Sequence, residues 1–350
     1  FHESERRSPG RATANETIDW PLQRVIVTGG AGFMGGRVCE LLRERGVPED
    51  HIFVPRRRAY DLTEKDDCAR LYREAFGGEP ATMVLHLAAE VGGIGANRAN
   101  PGRYFYANMA MAMHLMEQAR VAGFVEHGGT FVQVGSICSY PKFTPVPFQE
   151  EEFWNGYPEE TNAPYGVAKK AAWQMLDAYR LQYGMRGAFV LPVNLYGPRD
   201  NFNLETSHVI PALIRKCIEA KEAGREHIEV WGTGSASREF LYVDDAASGV
   251  LTAAERMDDP TPINLGTNSE VSIRNLVEMI AQLTGFAEPE TLEQRIKWDT
   301  SKPDGQPRRC LDVTRAKEML GWEARVDLEE GLRRTIDWFL EHRSDVDARL

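Results

Sequence analysis

What the chain lacks already narrows what it does. No apolar run among its 350 residues approaches the roughly 20 that a bilayer-spanning helix requires, so no membrane partner is expected. Cysteine is scarce: Cys39, Cys68, Cys138, Cys217 and Cys310 make an odd set with no Cys-x-x-Cys pair. That pattern argues against a disulfide framework and against a zinc site, and points to reduced thiols, a cytoplasmic location and no metal. Basic charge is not in excess either. With 41 Lys and Arg against 52 Asp and Glu, the net charge of −11 excludes a general nucleic-acid binder, whose phosphate contacts need a basic surface. The first 20 residues are rich in Arg, Glu, Ser and Thr, lack the apolar core of a signal peptide and read as a disordered arm. What remains is a globular composition, 42% hydrophobic, long enough for one large or two ordinary domains.

Strands and helices alternate from the start. The β-branched run Val25–Val27 leads into Gly29-x-x-Gly32-x-x-Gly35, and a helical pattern carrying Val38, Leu41 and Leu42 follows. Glycines between a strand and a helix permit a tight turn and let backbone N–H groups approach a pyrophosphate at the helix N-terminus. A second strand, His51–Val54, ends in Arg56-Arg57-Arg58 with no acid until Asp61. An acid at that point bonds a ribose 2′-hydroxyl and an arginine accommodates a 2′-phosphate, so NADP(H) is favoured over NAD(H). Met83–Ala89 reads as a third buried strand, followed by the small-residue loop Glu90–Asn97. The helix from Pro101 carries Asn108 and a methionine-rich face (Met109, Met111, Met113, Met116) that suits the core or a subunit interface. Thr130–Val134 and Gly187–Pro198 supply further strands, and Arg238–Asp245 is expected to return to the sheet edge. The expected fold is therefore α/β, a Rossmann-type doubly wound parallel sheet over 21–198 that returns near 236–266. A smaller C-terminal α/β lobe, mainly 199–350, would hold the substrate.

The chemistry-bearing residues sit where such sheets bind ligands, at the carboxyl ends of the strands. Ser136 lies just past Thr130–Val134, and Tyr165 and Lys169 follow at i and i+4, on one face of a helix. A hydroxyl can fix a substrate oxygen and a phenol can pass it a proton. An ammonium beside that phenol is expected to pull its pKa below 10.

Together the glycine turn, Ser136, Tyr165 and Lys169 resemble the extended short-chain dehydrogenase/reductase family. Within it the chain is similar to the GDP-L-fucose synthase type, through Val91–Asn97, Gly135–Lys142, Thr161–Tyr165, Asn194–Pro198, Ser207–Pro211, Val230–Gly234, Arg238–Phe240 and Ser301–Gly305. The resemblance implies an NADP(H)-dependent 3,5-epimerase and 4-reductase acting on a GDP-4-keto-6-deoxy-hexose, usually as a homodimer. It implies Cys138 as the base and His208 as the acid of epimerisation, with Ser136, Tyr165 and Lys169 serving the keto oxygen and the hydride step. Cofactor contacts are implied for Gly29, Gly32, Phe33, Met34, Gly35, Arg56, Asp61, Leu62, Leu87, Ala88, Ala89, Asn108, Pro192, Asn194, Leu195 and His208, besides Tyr165 and Lys169. Substrate contacts are implied for Gly93, Ile94, Asn194, Lys216, Trp231, Arg238, Lys302 and Asp304, besides Ser136 and Cys138. The triplet here is Ser136-Ile137-Cys138, where Ser-Ser-Cys is frequent in the family. Two other readings stay open: an epimerase of a GDP- or other nucleotide sugar, heptoses and octoses included, that keeps its NAD(P) bound and makes no net reduction, and a non-catalytic dinucleotide-sensing protein.

Overall fold

The computed structural model describes residues 18–348 apart from 93 and 303. Strands β1 (Val25–Thr28), β2 (Ile52–Phe53), β3 (Met83–His86), β4 (Thr130–Val134) and β5 (Arg186–Pro192) alternate with helices. The helices are α1 (Phe33–Glu44), α2 (Lys65–Glu74), the pair α3 (Ile94–Ala99) and α4 (Pro101–Val121), and α5 (Ala163–Tyr183). Beyond β5 the chain makes β6 (Asn194–Tyr196), α6 (Val209–Glu222), β7 (Ile228–Trp231), β8 (Ser237–Tyr242) and α7 (Val243–Arg256). Then β9 (Pro262–Leu265), β10 (Glu270–Ser272), α8 (Ile273–Leu283), α9 (Leu292–Arg295), β11 (Ile296–Asp299), α10 (Leu328–Glu341) and α11 (Arg343–Asp347) complete the order. None of the helices among the described residues is long and apolar enough to cross a membrane.

The main sheet runs β2-β1-β3-β4-β5-β9, every pair parallel. A parallel sheet carries helices on both faces, so its strands are apolar on both sides. Side chains alternate accordingly: Val25 and Val27 pack with Val38, Leu42 and Val250 of α1 and α7, while Ile26 faces Leu71 and Leu115 of α2 and α4. Met111 and Met116 lie in that second layer and Met113 is exposed, so the methionine face belongs to the core only in part.

Two expectations need correction. Of the expected arm only residues 18–20 are described, and Trp20 among them belongs to the fold: it is buried in the core beneath Arg45, its guanidinium 5.1 Å from the ring, because an indole that large gains too much by burial to stay in solvent. Residues 1–17 lie outside the described residues. Arg238–Tyr242 does not join the main sheet: β8 pairs with β6 and β10 in a sheet of its own, and α7 and β9 make the return. That small sheet, the parallel pair β7–β11 and helices α6, α8 and α10 enclose a separate core around Ile214, Val230, Leu276, Ile280 and Phe339.

Candidate active site

Strand order changes direction between β1 and β3, which opens a crevice at their carboxyl ends. A cleft of about 270 Å³ lies there, lined by Gly29, Gly32, Phe33, Met34, Gly35, Leu87, Ala88 and Ala89. These eight expected cofactor contacts share one site. Gly29 has φ +72°, and a Cβ on it would meet the Ala88 nitrogen at 2.9 Å, so only glycine lets the two loops close on each other. Helix α1 starts with Gly32 as its N-cap, no capping side chain and no acid in its first turn. Its leading N–H groups and the glycine turn form a cradle that fits a dinucleotide pyrophosphate.

Beneath this cradle is a pair that the motifs do not reveal. Thr28 Oγ1 lies 2.7 Å from His86 Nδ1 and accepts the N–H groups of Leu87 and Ala88, each at 3.2 Å. His86 is buried, and burial followed by the nearby Lys169 charge lowers its pKa to about 3, so it stays neutral. The only sequence signal is a polar residue closing each of two apolar strands.

The remaining cofactor candidates divide. Asp61 Oδ1 accepts from the backbone N–H and hydroxyl of Thr63 at 3.0 and 2.7 Å, and Leu62 is buried beside it. Arg56 is exposed with no ion-pair partner among the described residues, whereas Arg57 pairs with Glu90 at 3.0 Å. Asn108 spends its amide on protein: Nδ2 donates to the carbonyls of Glu90 (2.8 Å) and Tyr104 (2.7 Å), and Oδ1 accepts the Glu90 N–H at 3.2 Å. Its observed work is to hold the loop after β3. Pro192 is buried at the end of β5, Leu195 is half-buried on β6, and Asn194 Nδ2 donates to the Glu239 carbonyl at 2.9 Å.

The reacting groups converge around the start of α5. Ser136 follows β4, its hydroxyl accepts the Cys138 N–H at 3.1 Å and it lies close enough to the Tyr165 phenol to act on its ionisation. Gly166 makes this possible. A Cβ there would stand 2.5 Å from the Cys138 carbonyl oxygen, so α5 seats directly on the Ser136–Tyr140 backbone. Lys169 Nζ lies 5.6 Å from the centre of the Tyr165 ring, as the i and i+4 spacing requires. The expected direction for the phenol is nevertheless reversed. Burial first, then the neighbouring Cys138, push the Tyr165 pKa up against the opposing effect of Ser136. Burial also lowers Lys169 to about 8, which weakens the ammonium as a source of positive potential.

Cys138 is half-buried and close enough to both Tyr165 and Arg238 to act on their ionisation. His208 occupies the N-cap position of α6 in the second lobe without a capping side-chain bond, and no hydrogen bond or charge interaction joins it to Cys138, Tyr165 or Arg238 among the described residues. Its residue surface is exposed, yet protein atoms crowd the ring, and that desolvation lowers its pKa.

Beyond Cys138 the site becomes basic. Arg238 donates to the carbonyls of Gln306 (2.6 Å), Ser237 (2.7 Å) and Asp304 (3.2 Å), and burial lowers its pKa to about 10. Arg309, which no motif singles out, depresses it further, and its own buried Nε has no hydrogen-bond partner among the described residues. Its neighbour Arg308 is neutralised by Glu270. Trp231 is 67% exposed with Lys302 Nζ 5.4 Å from its ring centre, a surface ready to stack. Both carboxylate oxygens of Asp304 are taken by Thr233, at 2.7 Å each, which clasps the turn after Trp231. Lys216 Nζ donates to the Glu229 carbonyl at 3.3 Å. Gly93 lies outside the described residues, and Ile94 opens α3.

Residues 25–266 match the NAD dependent epimerase/dehydratase family. A probable GDP-L-fucose synthase 1 of Oryza sativa subsp. japonica is 38% identical over 91% of this chain and 92% of its own. The GDP-L-fucose synthase of Escherichia coli K12 is 37% identical over 92% of this chain and 98% of its own. Among solved structures, a GDP-L-fucose synthetase from Naegleria fowleri bound to NADP superposes with a TM-score of 0.82 at 27% identity, covering 96% of this chain and 98% of that one. With the glycine cradle, the parallel sheet and these relatives agreeing, the chain belongs to the NAD dependent epimerase/dehydratase family.

Proposed function

We propose that the chain is an NADP(H)-dependent 3,5-epimerase and 4-reductase of a GDP-linked 4-keto-6-deoxy-hexose. One observation carries this reading beyond a generic reductase: Cys138, half-buried, packs its backbone on Gly166 next to Tyr165 and lies within electrostatic reach of the Tyr165 phenol and the Arg238 guanidinium. A 4-keto group acidifies the C3 and C5 protons of a sugar, and a base next to an oxyanion donor can remove them. Cys138 takes the proton from carbon, and Ser136 and Tyr165 hold the keto oxygen while negative charge gathers on it. His208 returns a proton from the opposite face. Its lowered pKa makes the protonated ring a stronger acid while thinning the charged fraction at neutral pH. NADPH held in the Gly29–Gly35 cradle would supply a hydride for C4, and Tyr165 is the group that gives the C4 oxygen its proton. Its raised pKa keeps that proton in place until it is needed.

Arg238 and Lys302 neutralise the diphosphate, with Trp231 as a stacking surface for the guanine or the sugar and Lys216 and Asp304 beside them. With five free cysteines the protein suits a reducing cytoplasm. The exposed Phe105, Tyr106, Met113 and Leu181 on α4 and α5 favour a homodimer through those helices. The test is to supply GDP-4-keto-6-deoxy-mannose with NADPH in deuterated water. Stoichiometric NADPH oxidation with deuterium at C3 and C5 is expected. Cys138→Ser should abolish the exchange while sparing reduction of an already epimerised keto sugar. Exchange without NADPH oxidation would identify an epimerase that makes no net reduction, and equal loss of both steps in Cys138→Ser would refute the assignment of roles.

A further inference from the structure

The reading of the cleft as an NADP(H) site has a consequence at its rim. Strands β2 and β3 flank β1, so the turn after β2 and the loop after β3 face each other across the Gly29 turn. An ion pair spans that gap: Arg57 Nη1 to Glu90 Oε1 at 3.0 Å. The two ends are unequal. The Glu90 side chain is only 16% exposed, its other oxygen is held by Arg103 Nε at 2.7 Å, and its backbone is clamped by Asn108. The Arg57 side chain is 67% exposed on a short turn closed by N–H groups of Ala59 and Tyr60 on the Arg56 carbonyl. The carboxylate is therefore fixed and the guanidinium is the part that can move.

Arg57 also stands where the end of the second strand reads the ribose 2′ position. Its neighbours Arg56 and Arg58 have no ion-pair partner among the described residues. One of three cations at that corner is thus neutralised by an acid from another strand. We propose that Glu90 is a cofactor-specificity residue, setting the preference between phosphorylated and unphosphorylated dinucleotide by competing with the 2′-phosphate for Arg57. This rests on the NADP(H) reading above. Removing the charge of Glu90 frees Arg57 and deletes a repulsion on the incoming dianion, and both effects act in one direction. The pyrophosphate gains equally with either dinucleotide, so the ratio of affinities isolates the 2′-phosphate.

The experiment measures dissociation constants for NADPH and NADH by fluorescence titration of the full chain, at about 50 mM and about 300 mM salt. Glu90→Gln keeps the shape and removes the charge. A charge removed about 10 Å from a dianion in water is worth roughly fourfold, and a freed guanidinium adds to it. The NADPH:NADH affinity ratio is therefore expected to rise between about fourfold and tenfold in Glu90→Gln. The gain should shrink at the higher salt, and adding Arg57→Gln should trim it to the roughly fourfold that the removed repulsion alone supplies. A ratio that stays put or falls overturns the proposal, since Glu90 would then be orienting Arg57 toward the phosphate rather than withholding it. A gain of the same size with and without Arg57 overturns it as well. Should Glu90→Gln not fold, Arg57→Gln alone decides: a fall in the ratio of no more than the roughly fourfold expected for losing a charge at that distance supports competition, and a larger fall, the loss of a direct phosphate contact, refutes it. If the wild-type chain binds neither dinucleotide, the cofactor reading itself has failed, and this inference with it.

Discussion

Gly166→Ala is the sharpest probe of how the catalytic groups are assembled. The new Cβ would stand 2.5 Å from the Cys138 carbonyl oxygen, 3.2 Å from its carbonyl carbon and 3.3 Å from the Ser139 Cα. All three are backbone atoms, so no flexible side chain can yield. To reach ordinary contact, α5 and the Ser136–Tyr140 segment must separate by roughly 0.9 Å. Two opposing effects act on stability: a forced core contact costs about 1–3 kcal/mol, and alanine in a helix regains about 0.5–1 kcal/mol over glycine. The net loss should be about 0–2.5 kcal/mol, leaving a folded protein. Catalysis has no such offset. Tyr165 is the residue before Gly166 and its phenol faces Ser136 across this contact, close enough for the two to interact, so the separation displaces one group from the other. A displacement near 1 Å typically costs on the order of a hundredfold in rate. The assay compares kcat for NADPH oxidation with the urea midpoint of the same preparation. A hundredfold slower enzyme with a modestly lower midpoint is expected. Activity within about twofold of wild type would show that the contact is not what aligns the phenol, and the reasoning would fail.

Lys169→Met should flatten the rise of stability with pH. In the wild-type chain both states bind the lysine proton below about pH 8, while between that value and the ordinary lysine range only the unfolded chain does. Stability therefore rises with pH in that window, by up to about 1.4 kcal/mol per unit from this group. The wild-type-minus-variant difference in urea denaturation at pH 7.5 and 9.5 cancels the other titrating groups, and a difference independent of pH would contradict the burial argument. Asn108→Ala removes two hydrogen bonds to Glu90 and one to Tyr104 and should cost about 1–3 kcal/mol; an unchanged denaturation midpoint would show the loop does not depend on it. Arg309→Gln should weaken GDP binding about three- to tenfold in calorimetry while kcat stays within about twofold, and unchanged GDP affinity would remove Arg309 from the anion site.

Some of this protein was settled by local sequence. Glycine spacing after a β-branched strand dictates a turn that backbone sterics permit to few other residues, so the Gly29–Gly35 cradle was legible. The i and i+4 relation of Tyr165 and Lys169 is a property of any α-helix, and the structure places them together. Folding alone decided the rest, because it depends on what lies across a gap. Nothing near Arg57 in the sequence predicts a partner from the loop after β3, and nothing in Asn108 announces that its amide serves Glu90. The strand at Arg238 went to a second sheet because its pairing partners, β6 and β10, come from distant parts of the chain. The Tyr165 phenol shows the division most plainly. Its neighbour on the helix favours a lower pKa, but desolvation is set by everything packed around it, and that larger effect exists only in the folded molecule.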